Sequence, residues 1–142
     1  MRIVIKVGTS TLTYGNGNIN IRRMENLCKV ISDLKNSGLE VILVSSGAIA
    51  MGVGKLGLRE RPKDIPTKQA AAAVGQCELM FLYDKFFGEY GNITGQLLVT
   101  KDDFEDEERH RNLHNSFMKL FEYGAIPVIN ENDSVAVDEI VF

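Results

Sequence analysis

The chain has 142 residues, 44% hydrophobic and 25% charged, with a formal net charge of −3. That length suits one domain with a sizeable core. The net acidity, with no basic cluster interleaved with aromatics, argues against a nucleic-acid surface. No apolar run approaches a membrane span and no secretory signal precedes the first strand pattern, so a cytoplasmic protein is expected. The two cysteines, Cys28 and Cys77, both fall on predicted apolar helix faces. They read as buried free thiols of a reducing compartment. Without a secretion signal, the glycosylation patterns at Asn92 and Asn132 read as chance matches.

Residues 2–7 are a β-branched run and read as a buried strand, followed by a polar, Gly/Asn-rich loop over 11–20. Asn20 is placed to cap a helix over 21–37, whose apolar positions Ile21, Met24, Leu27, Cys28, Ile31 and Leu34 keep helical spacing. Gly38 stands where a left-handed stop is wanted. Residues 39–44 are continuously apolar, as a parallel strand covered on both faces should be. A helical segment starts at Ala48 and runs to the glycines of 52–57. Residues 58–66 read as a charged, Pro-containing loop. A long helix is predicted over 67–90, with Ala70, Ala73, Val74, Cys77 and Phe81 on its core side. A third strand covers 93–100. The charge run 102–111 leads into a helix whose core side is Leu113, Phe117, Leu120 and Phe121, ended by Gly124. Residues 126–129 form a fourth strand, and 140–142 begin another apolar segment. Strands alternating with helices imply parallel βαβ units, hence an α/β fold with an open, mainly parallel sheet sandwiched by helices.

In such a sheet ligands bind beyond the carboxyl ends of the strands, and three of those ends carry unusual chemistry. The first is Lys6-Val7-Gly8-Thr9-Ser10. A lysine leaving a Val/Ile strand, then a glycine that lets N–H groups approach closely, then two hydroxyls, suit a bound phosphate. A snorkelling lysine on an edge strand fits the same residues. The second is Ser45-Ser46-Gly47, directly before a helix, where exposed N–H groups suit a phosphate or carboxylate. Ser46 also fits a plain N-cap. The third is Asn130-Glu131-Asn132-Asp133, whose amides and carboxylates suit an ammonium group plus a carboxylate, as in an amino acid. An ordinary Asx-rich turn also fits those residues. The fold brings all three ends to one edge.

Other patterns lack the right setting. Gly52-Val53-Gly54-Lys55-Leu56-Gly57 matches G-x-G-x-x-G but trails a helix instead of linking a strand to one. A flap near a substrate remains open for it. His110 and His114 have helical i, i+4 spacing but no third ligand of clear spacing, so no metal site is assigned. The acidic run 102–108 reads as a solvated helix start. Gly75 suggests close helix packing, with Gln76 toward the crevice.

Five segments in order resemble the amino-acid kinase family: Ile5-Lys-Val-Gly-Thr-Ser10, Val44-Ser-Ser-Gly-Ala-Ile-Ala50, Lys68-Gln-Ala-Ala-Ala-Ala-Val-Gly-Gln76, Gly95-Gln-Leu-Leu98 and Pro127-Val-Ile-Asn-Glu-Asn-Asp133. Gly-Thr-Ser after the lysine looks like the glutamate kinase branch, since many relatives have Gly-Gly there. The resemblance implies ATP-dependent phosphorylation of the glutamate side-chain carboxylate, the entry step of proline synthesis, with Mg²⁺ accompanying ATP. It implies that Lys6 contacts the transferring phosphate, with Gly8, Thr9 and Ser10 around it. Ser46 and Gly47, with Asn130 and Asp133, would hold glutamate. It further implies proline as a feedback inhibitor and a homo-oligomeric parent protein.

The family's Gly-Asp-Asn-Asp segment would follow Phe142. Residues 1–142 are therefore expected to be the N-terminal, substrate-side part of a kinase domain, without the nucleotide-side half and inactive alone. Whether an RNA-modification-type domain follows is open. Two other readings stand beside this one. The first is a family member acting on a different acid. The second is a non-catalytic α/β module that holds a small anion.

Overall fold

The computed structural model describes residues 1–131, with the side chain of Glu131 left aside. Asp133 and the apolar segment 140–142 lie outside the described residues. The element order is β1 (Arg2–Val7), α1 (Thr9–Leu12), α2 (Ile21–Asn36), β2 (Glu40–Ser45), α3 (Ala48–Leu56), α4 (Ile65–Gly88), β3 (Ile93–Val99), α5 (Lys101–Glu105), α6 (Glu107–Glu122) and β4 (Ala125–Glu131). The four strands form one parallel sheet in the order β1-β2-β4-β3. The expected α/β class and parallel pairing are present.

Alternation along β2 explains why both faces are covered. Val41 and Leu43 join Val7, Ile126 and Val128 in a core with Met24, Cys28 and Ile31 of α2 and Leu79, Tyr83 and Phe87 of α4. Ile42 and Val44 point the other way and join Val99 and Ile129 beneath Leu113, Phe117 and Phe121 of α6. Successive strand residues face opposite sides, so a continuously apolar strand belongs in the middle of such a sandwich. Among the described residues β1 is covered chiefly on one face. Val7 is buried, whereas Val4 is 58% exposed and Lys6 is exposed. No helix of the described residues is long and apolar enough to cross a membrane.

Local signals set the helix boundaries. The Asn20 side chain accepts from Arg23 N–H and opens α2, as expected. Asp64 opens α4 by accepting from Thr67 N–H at 2.9 Å and its hydroxyl at 2.6 Å. These bonds hold the Asp64 carboxyl below its ordinary pKa. Pro66, expected in the loop, lies instead in the first turn of α4. Proline is tolerated there because its missing N–H would have had no intrahelical partner.

Several expectations are corrected. The loop predicted over 11–20 starts with a helical turn, α1, and closes through a Thr13–Ile19 bridge. The core side expected of the long helix is its exposed side. Ala70, Ala73, Cys77 and Phe81 are exposed, while Ala71, Ala72, Gly75, Leu79, Leu82, Tyr83, Phe86 and Phe87 are buried. Small and apolar residues occur on every side of this helix, so periodicity selects no single face. Ile21 on α2 is likewise exposed. Cys77 is an exposed thiol, not a buried one. Cys28 is buried, and burial first, then the Glu89 charge, pushes its thiol up to about 12.

Candidate active site at the strand ends

The parallel register places Lys6 beside Val44, Val7 beside Ser45, and Val44 beside Ile129. β2 thus lies between β1 and β4, and the ends carrying Lys6, Ser46 and Asn130 are neighbours along one edge. The amide of Ser46 donates to the Val7 carbonyl at 3.1 Å, which ties the first two ends together.

At the first end, Lys6 forms no ion pair among the described residues. Gly8 has φ −89, which any residue adopts, and a Cβ there would meet nothing within 4 Å. Neither conformation nor packing therefore requires glycine at this position. The open space beside the lysine is what a closely approaching anion needs. Thr9 and Ser10 lie in the turn of α1, and the Ser10 carbonyl accepts from the Arg23 guanidinium at 3.4 Å.

At the second end, the N-cap of α3 is Gly47, with φ 107 and no side-chain cap bond. A side chain would be strained at that φ. Ser46 is therefore not the N-cap, and its hydroxyl has no hydrogen-bond partner among the described residues. Ser45 is the structural serine of the pair. It is buried, donates to the Ser46 carbonyl at 3.1 Å and meets the Tyr83 hydroxyl at 2.7 Å. Burial raises the Tyr83 pKa, so this hydroxyl stays protonated and can donate to Ser45.

The third end contributes Asn130, which is 8% exposed and donates from Nδ2 to Gln76 Oε1 at 2.9 Å. The bond fixes the Gln76 amide with Nε2 as a buried donor that finds no acceptor among the described residues. Native structures seldom leave such a donor unmet, because desolvating it costs about 1–3 kcal/mol. Gln76 was not among the expected ligands. Its signal was the glycine before it.

Gly75 brings α4 against α3. A Cβ on Gly75 would overlap the Ala48 carbonyl, and one on Gly52 would overlap the Ala71 carbonyl. Gly52 and Gly54 are thus packing positions within α3, since Gly54 also has the Gly17 carbonyl 2.8 Å from where its Cβ would stand. That excludes a flap for this stretch.

The edge thus combines a cation, a hydroxyl and two amides. Among the described residues no group of three His, Cys, Asp or Glu side chains is placed to hold a metal. The arrangement can bind and align anions, while none of its described groups is set up as a nucleophile with an adjacent base.

The sequence profile of the amino acid kinase family matches residues 1–142. The glutamate 5-kinase of Clostridium perfringens is 58% identical over 139 residues, 98% of this chain and 52% of that protein. That of Caldanaerobacter subterraneus is 58% identical over 140 residues, 99% of this chain and 38% of that protein. That of Clostridium acetobutylicum is 55% identical over 141 residues, 99% of this chain and 53% of that protein. The chain thus spans between 38 and 53% of the length of these relatives.

Proposed function

Since the chain belongs to the amino acid kinase family, we propose that it supplies the glutamate side of an ATP-dependent kinase acting on the glutamate side-chain carboxylate. The observation that carries this reading is the meeting of the β1, β2 and β4 ends, with an unpaired lysine at one and a buried amide pair at another. The names of the relatives support the substrate.

A carboxylate is already a nucleophile at neutral pH, so no general base is needed. Catalysis reduces to holding two anions in line and offsetting charge as the phosphoryl group moves. Lys6 takes the phosphoryl oxygens, with Gly8, Thr9 and Ser10 around them. Ser46 and the Gly47 turn, with Asn130, Gln76 and Asp133, hold the amino acid. Mg²⁺ accompanying the nucleotide would supply counter-charge to its phosphates, and no ligand for it is assigned among the described residues. Residues 1–142 form the substrate-side part of the kinase domain, and the nucleotide is held chiefly by polypeptide outside them. A cytoplasmic location, a homo-oligomeric assembly and inhibition by proline at the glutamate site belong to the same proposal.

Lys6→Ala in the full-length protein tests it. Loss of one preorganised charge stabiliser is expected to lower kcat by about 10²–10³, with glutamate KM changed far less. Undiminished turnover in a folded variant removes Lys6 from the mechanism. Absence of ATP turnover with every acid tested, in the intact protein, favours the non-catalytic anion module instead.

A further inference from the structure

We propose a second anion site, adjoining the strand-end site through Thr9 and Ser10, in the cleft between the turn at 14–17 and the loop at 58–61. The cleft has a volume of about 450 Å³, and its walls include Ser10, Tyr14, Asn16, Val53, Arg59 and Arg61. That volume lies within the range of small-molecule sites, about 300–1,000 Å³. Thr9 and Ser10 line it on the side of the proposed phosphoryl position, whereas Lys6, Gly8, Ser46, Gly47, Gln76 and Asn130 do not.

The wall is built into the fold. A Cβ on Gly17 would lie 2.9 Å from the Ala50 carbonyl oxygen, so the turn rests backbone to backbone on α3. Its geometry is held by Tyr14 N–H donating to the Asn18 carbonyl at 2.8 Å and Gly17 N–H donating to the Tyr14 carbonyl at 3.0 Å. The next two amides, of Gly15 and Asn16, have no acceptor among the described residues. Successive free N–H groups in a turn favour an anion.

Charge points the same way. Arg59 and Arg61 form no ion pair among the described residues, and neither does Glu60 between them. Arg23 stands beside the cleft, bound to the Ser10 carbonyl. Two arginines and one glutamate thus line the cleft, in a chain whose net charge is −3. Guanidinium forks match planar or tetrahedral oxyanions through paired N–H donors. The apolar floor from Ala50 and Val53, with the Tyr14 ring, leaves room for a short carbon skeleton. The ligand class is a small molecule bearing a carboxylate or phosphate.

Calorimetric titration of the full-length protein, with glutamate saturating, decides the matter. The probes are inorganic phosphate and glutarate, and the comparison is wild type against R59A/R61A. Both substitutions are on exposed side chains, and a thermal melt checks that the variant is folded. The expected result is saturable binding of at least one probe, weakened tenfold or more in the double variant. Tighter phosphate binding assigns a phosphorylated ligand, and tighter glutarate binding assigns a dicarboxylate. Either supports the site. Absence of binding to wild type overturns it, as does equal affinity in the double variant. Because the readout is heat of binding, loss of kinase activity does not mimic either result.

Discussion

Gln76 carries a buried amide donor with no described acceptor, one hydrogen bond away from Asn130. Such a donor is tolerated when a ligand meets it during function, and a substrate carboxylate is the partner that the strand-end chemistry offers. Gln76→Ala removes both the donor and the bond that orients Asn130. The expected outcome is a raised glutamate KM, corresponding to about 1–3 kcal/mol of lost binding, with ATP KM nearly unchanged. Steady-state kinetics with each substrate varied checks this, and a variant with a raised ATP KM and ordinary glutamate KM would move Gln76 out of the amino-acid site. At this scale the sequence was legible where a residue type is costly to place without purpose. The placement of Lys6 on β1 and of Asn130 near the end of β4, at neighbouring strand ends, was of this kind. Gln76 was harder to see, because a glutamine on a helix is ordinary until its neighbours are known. The distinction between Ser45 and Ser46 was also hidden. It depends on Tyr83, thirty-eight positions away, reaching Ser45 through the core.

The contact between α3 and α4 sets the position of Ser46 and Gln76 together. It rests on Gly52 and Gly75, each facing a carbonyl of the other helix. Gly75→Ala presents two opposed effects. Alanine favours the helix over glycine by about 1 kcal/mol. Against this, the new Cβ would overlap the backbone of Ala48. Backbone cannot rotate aside as a flexible side chain can, so the helices must separate, and overpacking of this kind costs about 1–3 kcal/mol. Net destabilisation is therefore expected, together with weaker glutamate binding as Gln76 leaves Asn130. Thermal melts and glutamate titration of Gly75→Ala would test this. A variant that gains stability and keeps affinity would show that the crossing can relax freely. The alternation of strands and helices was legible because hydrophobic runs, caps and glycines agreed locally. The buried side of α4 was not, because contact with β2, α2 and α3 chooses it and its own apolar pattern is satisfied in any orientation. α1 escaped notice because one helical turn is too short for periodicity to register.

Across the whole molecule the coverage of the sheet is uneven. Val4 on β1 is 58% exposed, Ile93 at the start of β3 is 63% exposed and Phe81 on α4 is 60% exposed. β1 and β3 are also the two edges of the described sheet. Exposed edges and large exposed apolar side chains both favour association between chains. The 142-residue chain in isolation is therefore expected to self-associate, with sedimentation velocity showing species heavier than the monomer as concentration rises. Val4→Lys and Phe81→Lys separate the two surfaces. If the open face of β1 drives association, only the first restores the monomer, and if the outer side of α4 drives it, only the second does. Both side chains are exposed, so neither substitution places a charge in the core. Because the chain spans only 38 to 53% of its relatives' length, turnover is expected of the longer polypeptide and not of these residues alone. The same preparation answers that with an ATP-consumption assay in the presence of glutamate. A stable monomer with full turnover would mean that these exposed surfaces need no cover, and that the described strand ends hold nucleotide as well as acid.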